Sequence, residues 1–169
     1  MSTNAYEAIG PPRRVRLRSV GGTNAWGARL GALLKAGDLL VLTGGLGAGK
    51  TTLTQGIAQG LRVRGPITSP TYVIARVHPS LVGGPDLVHV DAYRLGGLAE
   101  LEDLDLDASL DMAVTVVEWG HGVAEQLSDD YLEVTLTGQD TRTAELVGHG
   151  GRWTDHGAGA QLDDLVSLP

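Results

Sequence analysis

An α/β domain around a mixed sheet with a parallel centre is the fold class this sequence predicts, and three observations predict it. Two short, continuously apolar runs, "LLVLTG" (39–44) and "AVTVV" (113–117), have the pattern of strands buried on both faces. Between them, Leu53, Ile57 and Leu61 recur every four residues, as the buried stripe of a helix does. Two further runs, "YVIARVH" (72–78) and "DLVHVDAY" (86–93), are separated only by "PSLVGGP". That connection is too short for the crossover a parallel pair needs, so these strands should be antiparallel neighbours. The expected architecture is a three-layer domain, with antiparallel strands added to the parallel centre.

The elements follow in order. Residues 1–12 are expected as a flexible arm, closed by "GPP". "RRVRLRSV" (13–20) alternates charged and apolar residues, the pattern of a half-exposed strand. Its arginine row suits a charged edge strand that resists aggregation, with contact to nucleotide or RNA as the alternative. Thr23 is expected to cap a helix running to about Lys35, with Trp26, Leu30, Leu33 and Leu34 as its apolar stripe. "YLEVTLTGQDTRTAELVG" reads as a closing hairpin with its turn near Gly138 to Thr141. The stretch 13–147 forms the expected domain. Residues 148–169 form a polar, Gly-rich tail in which "LDDLVSL" suggests a last helical turn.

Length and composition set limits. At 169 residues with 42% hydrophobic content the chain suits one soluble domain. The absence of cysteine excludes disulfides, thiolate nucleophiles and Cys-based zinc sites. No secretory signal and no membrane span are evident, so a cytoplasmic protein is expected. The net charge of -7 argues against autonomous nucleic-acid binding, which relies on Lys and Arg at phosphates.

"TGGLGAGKTT" (43–52) places four glycines around one of only two lysines. Gly44, Gly49, Lys50 and Thr51 fit the spacing G-x-x-x-x-G-K-[ST] of a phosphate-binding loop, with a buried strand before and a helix after. Gly45, Leu46, Gly47, Ala48 and Gly49 are expected at the nucleotide, where glycines let backbone amides close around the phosphate oxygens. The start of the following helix, with Thr51 and Thr52, adds its dipole and unpaired amides. Lys50 should reach the outer phosphates, and the Thr51 hydroxyl should ligate magnesium.

Such a site needs an acid at the end of a nearby strand. Asp91 and Glu118 both stand at strand ends, and at least one is expected as a metal ligand. Either one taken alone is equally well a solvated strand end. "ITSPTY" (67–72), with Ser69 and Thr71, lies where many such nucleotidases place a phosphate-sensing switch. A plain Ser-Pro turn is the competing reading.

"GGLGAGKTT", "SPTY", "HVDAYRL", "ELE" and "VVEWG" occur in series from about Val20 to Arg142, and this series resembles the TsaE (YjeE) family. The resemblance implies a bacterial P-loop ATPase needed for threonylcarbamoyladenosine formation in tRNA. It would act with TsaB and TsaD, bind ATP and Mg2+, and contact tRNA indirectly if at all. It also implies roles for residues: Lys50 and the amides of Gly47 to Gly49 on the phosphates, and Thr51 and Glu118 on magnesium. Asp91 would orient the attacking water or support the metal shell, and Thr71 would belong to the switch. Thr23 and Arg142 lie where the family meets the base or its surroundings, although a helix cap and a hairpin surface residue explain them as well. One departure stands out: the family usually has an acid where this chain has Gly45, which points to slower hydrolysis or greater dependence on partners.

Other features carry less. The stretch 99–111 holds six acids and no base, the composition of a solvated face or of a docking surface for a basic partner. His89 is expected as a packed or surface residue, and Trp119 as core beside Glu118. Two alternatives to the ATPase remain, a nucleotide-dependent binding switch and a small phosphotransferase. The latter needs lid arginines, and only Arg142 and Arg152 follow Glu118.

Overall fold

The computed structural model describes residues 6–8, 13–45, 47–68, 75–92, 110–119, 122, 126–154 and 158–167. The described strands are β1 (Tyr6–Ala8), β2 (Arg14–Leu17), β3 (Leu39–Gly44), β4 (Ala75–His78), β5 (Asp86–Asp91), β6 (Ala113–Glu118), β7 (Tyr131–Thr137) and β8 (Arg142–His149). The described helices are α1 (Val20–Leu33), α2 (Lys50–Leu61) and α3 (Gly159–Ser167).

One eight-stranded sheet runs in the order β1-β2-β8-β7-β3-β6-β5-β4. Its centre is parallel, β7 with β3, β3 with β6 and β6 with β5. The flanking pairs are antiparallel, including β4 with β5 and the β7–β8 hairpin. The mixed sheet with a parallel centre is therefore the one the apolar runs predict. Sequence periodicity does not show that β7, the first arm of the hairpin, is also a parallel neighbour of β3.

Alternation along the strands divides the core. Leu40 and Leu42 of β3, Val114 and Val116 of β6 and Leu87 of β5 share one cluster with α1, α2 and α3 residues such as Trp26, Leu30, Leu53, Ile57 and Leu162. Leu39, Val41, Val88, Val90 and Val117 form a second cluster on the opposite face, packed with Leu110, Leu127 and Tyr131. Each strand residue thus serves the layer that period-two geometry dictates.

α1 and α2 cross at close range along a glycine seam. A Cβ added at Gly27 would lie 2.8 Å from the Leu53 carbonyl oxygen, and one at Gly31, Gly56 or Gly60 would run into backbone of the facing helix. Four glycines, spaced four apart on each helix, let the two backbones touch.

Several expectations change. Ser19, not Thr23, caps α1: its backbone is extended and its hydroxyl accepts from the Gly22 amide at 2.9 Å. Thr23 lies inside the first turn, its own hydroxyl donating to the Ser19 carbonyl at 3.1 Å. β2 is not an edge strand, because residues 6–8 of the expected arm pair with it on one side and β8 on the other. The stretch expected as a tail also differs: β8 extends to His149, and α3 packs Leu162 and Leu165 into the core. The Trp26 indole N–H donates to the Leu165 carbonyl at 3.3 Å. None of the described helices is long and apolar enough to cross a membrane.

Candidate functional site

The loop between β3 and α2 takes a shape that its glycines permit. Gly47 and Gly49 have φ of 76° and 104°, a region that side-chain-bearing residues rarely adopt. Gly49 is the N-cap of α2 and supplies no side-chain hydrogen bond of its own. The first amides of the helix are therefore left for another acceptor.

A cavity of about 270 Å³ opens over this loop, lined by Gly47, Ala48, Gly49, Lys50, Thr51 and Thr52. Asp91 and Glu118 close it from the C-terminal ends of β5 and β6, where their strand register sets them directly opposite. Val20, Thr23, Trp119 and Arg142 complete the wall. Open α/β sheets place ligands at this end of the strands. A second hollow of about 430 Å³, between the loop and the β7–β8 turn, includes Gly45, Gln139 and Arg142.

Lys50 is buried at the centre. Its ammonium donates to the Gly44 and Gly45 carbonyls at 2.8 and 2.9 Å, and lies 3.9 Å from the centroid of the Trp119 ring. Burial holds its pKa below the ordinary 10.5, opposed by the attraction of Glu118 and Asp91. Arg142, from the first position of β8, donates Nη2 to the Gly47 carbonyl at 2.8 Å, while its Nε finds no partner among the described residues. Glu118 accepts a hydrogen bond from His89 Nε2 at 2.8 Å.

The residue set fits a nucleotide with a hard divalent cation. Positive-φ glycines, a buried ammonium and the first amides of a helix suit a phosphate chain. Thr51, Asp91 and Glu118 offer oxygen donors of the kind magnesium takes. Among the described residues, no group of three His, Asp or Glu side chains could hold a metal ion unaided. The cation would therefore lean on phosphate oxygens as well.

The expected site residues Gly47, Ala48, Gly49, Lys50, Thr51, Thr52, Thr23, Asp91, Glu118 and Arg142 thus share one cavity, and Gly45 borders the adjoining hollow. Leu46, Ser69 and Thr71 lie outside the described residues. Arg152 does not approach: it pairs with Asp38, at the opposite end of β3, through contacts of 2.9 and 3.0 Å. That removes one of the two arginines after Glu118 that a phosphotransferase lid could have drawn on. Sequence reasoning missed the Lys50–Trp119 contact, the place of Val20 and the bond from His89. The last had a signal, since His89 stands two residues before Asp91 and so shares its face of the strand.

A family model described as "Threonylcarbamoyl adenosine biosynthesis protein TsaE" matches residues 17–145. A Streptomyces coelicolor protein described as tRNA threonylcarbamoyladenosine biosynthesis protein TsaE is 59% identical over 134 residues, 75% of this chain and 90% of its own length. Proteins of the same description from Mycobacterium tuberculosis and Bacillus subtilis are 55% identical over 128 residues and 39% identical over 125 residues. These matches cover 70% and 72% of this chain, and 76% and 77% of the two relatives. The crystal structure of Bacillus subtilis YdiB superposes with a TM-score of 0.69 at 29% identity, covering 95% of each chain.

Proposed function

The chain belongs to the TsaE family, which serves threonylcarbamoyladenosine biosynthesis in tRNA, and on that premise we propose that it is a magnesium-dependent ATPase that acts with the TsaB–TsaD transferase pair. The observation that carries this reading is the convergence of Lys50, Thr51, Asp91, Glu118 and Arg142 on one cavity over a glycine loop.

Each residue has a task that follows from its chemistry. Loop amides and the Lys50 ammonium hold the β- and γ-phosphates and neutralise their charge. The Thr51 hydroxyl and the Glu118 carboxylate would hold magnesium, whose contribution there would be Lewis-acid neutralisation of phosphate charge. Asp91, buried at the end of the neighbouring strand, orients the attacking water and takes up its proton. Arg142 lines the same cavity and braces the loop through its bond to the Gly47 carbonyl, which places its positive charge beside the phosphates. Val20 and Thr23 border the nucleotide beyond the phosphates.

The net charge of -7 favours a role in which partners, rather than this chain, hold the tRNA. ATP rather than GTP is the expected nucleotide, a preference that rests mainly on the family resemblance. It accords with a sequence that carries no guanine-reading N-K-x-D motif. One specific residue keeps a second reading alive. Gly45 replaces the loop acid usual in the family, and a chain lacking that charge suits a binding switch with negligible turnover.

Phosphate release from Mg·ATP, measured with the chain alone and with TsaB–TsaD, tests the proposal. Stimulation by the pair that is lost in Glu118→Ala supports it. ATP binding without turnover in either condition favours the switch. Rapid turnover indifferent to the pair overturns the partnership.

A further inference from the structure

We propose that His89 is a positioning residue for metal binding, fixing the Glu118 carboxylate by a hydrogen bond from beneath the cavity floor. The proposal rests on the reading of Glu118 as a magnesium ligand and extends it one residue deeper.

The geometry starts from the strands. Leu87, His89 and Asp91 occupy one face of β5, and Val114, Val116 and Glu118 the same face of its parallel neighbour β6. Polarity rises along that face toward the cavity, from Leu87 in the core, through His89, to Asp91 in the wall. His89 is paired in register with Val116, one step short of Glu118 on this face. Its Nε2 therefore reaches diagonally to Glu118 Oε2, at 2.8 Å.

Both partners are shielded from water, His89 being 0% and Glu118 4% exposed. A contact of that length, away from solvent, is stronger than the same contact at the surface. Among the described residues it is the hydrogen bond that the Glu118 carboxylate makes. One oxygen of the carboxylate is thereby held while the side chain still borders the cavity.

A core-filling role does not account for the imidazole. Its Nδ1 is buried and has no hydrogen-bond partner among the described residues. A buried nitrogen left unpaired costs stability, and an apolar side chain such as that of Leu87 would fill the position without that cost. What the histidine gains is the bond through Nε2, which must carry the hydrogen. Carboxylates that bind metals are commonly oriented by such outer partners, whose loss weakens metal affinity about 10–100-fold.

The test is the affinity of Mn2+ for the chain bound to a non-hydrolysable ATP analogue, followed by the paramagnetic resonance of free Mn2+. His89→Leu removes the donor but keeps the bulk, and should weaken Mn2+ binding about 10-fold or more. His89→Gln, which can still donate to the carboxylate, should restore most of the affinity. Binding of the analogue in excess chelator should be the same in all three proteins, which a general loss of structure would not allow.

Mn2+ affinity in His89→Leu equal to that of the unaltered chain overturns the proposal, as does equal weakening in His89→Gln. Should His89→Leu fail to fold, His89→Met carries the same comparison. Glu118→Gln separates the two claims. Undiminished Mn2+ binding in that variant removes the metal role of Glu118 itself, whereas loss there with no effect of His89→Leu removes only the role of His89.

Discussion

The Lys50 ammonium lies against the Trp119 ring, 3.9 Å from its centroid, while donating to two loop carbonyls. A phosphate entering the loop competes for the same cation. Trp119 should therefore report nucleotide binding through its fluorescence, whereas Trp26 and Trp153 are buried in the core. ATP added without magnesium should change the emission, and Trp119→Phe should abolish that change. A signal of full amplitude in Trp119→Phe would break the link between ring and ammonium.

Lys50 also predicts a pH dependence. Burial lowers its pKa in the folded chain below the 10.5 of the unfolded one. Between those two values the unfolded chain binds more protons, so stability contributed by this group rises with pH across the window. The unfavourable contribution of the buried ammonium is fully present below the lowered value and is relieved above 10.5. Urea unfolding of the nucleotide-free chain and of Lys50→Met, compared at several alkaline pH values, isolates it. The difference should move in favour of the unaltered chain as pH rises, and a flat or opposite trend would contradict the assignment.

The glycine seam between α1 and α2 makes a stability prediction. Gly31→Ala would press a methyl group on the Ile57 carbonyl, and Gly60→Ala one on that of Ala28. Each should destabilise by about 1–3 kcal/mol despite the better helix propensity of alanine. Gly21→Ala is the control, because its nearest neighbour would be the Ser19 hydroxyl at 3.8 Å. Calorimetry should show that variant unchanged or raised in melting temperature.

Asp38 joins three parts of the chain. It accepts from Arg152 through both oxygens and from the Lys35 amide at 2.7 Å, and is itself buried. Removal of either side chain breaks the ion pair and leaves the remaining charge hydrogen-bonded to backbone alone. Asp38→Ala and Arg152→Ala should each cost about 2–4 kcal/mol. The double variant should lose less than the sum of the two, and strict additivity in denaturant unfolding would show that the pair is not coupled.

Much of this arrangement was legible because local periodicity and the glycine loop announce it. β3, the loop and the start of α2 follow from one continuous stretch, and the antiparallel β4–β5 pair follows from a connection too short to cross over. β1 was hidden because three residues carry no periodicity, and their pairing depends on β2 as a template. The capping role of Ser19 was hidden by the two glycines that follow it, which read as a loop. The seam was hidden for a related reason: glycines weaken a helical pattern, and their purpose appears only when the second helix is in place. Asp91, Glu118 and the loop were each visible singly, but their convergence depends on the order of strands in the sheet. The contacts of Lys50 with Trp119 and of His89 with Glu118 likewise join residues far apart in sequence.

The sheet order also bears on how the protein is made. β3 lies between β6 and β7, which a ribosome adds only after residues 112 and 130 respectively. The strand leading into the phosphate loop is thus synthesised early but acquires its two neighbours late. Contacts across such separations form slowly, since a long loop must close before they are gained. During synthesis at about 5–20 residues per second, the unpaired backbone edges of this apolar strand wait several seconds for their partners. A nascent chain stopped before β7 would contain the whole glycine loop yet lack one wall of the sheet that shapes it, so nucleotide capture belongs to the completed chain.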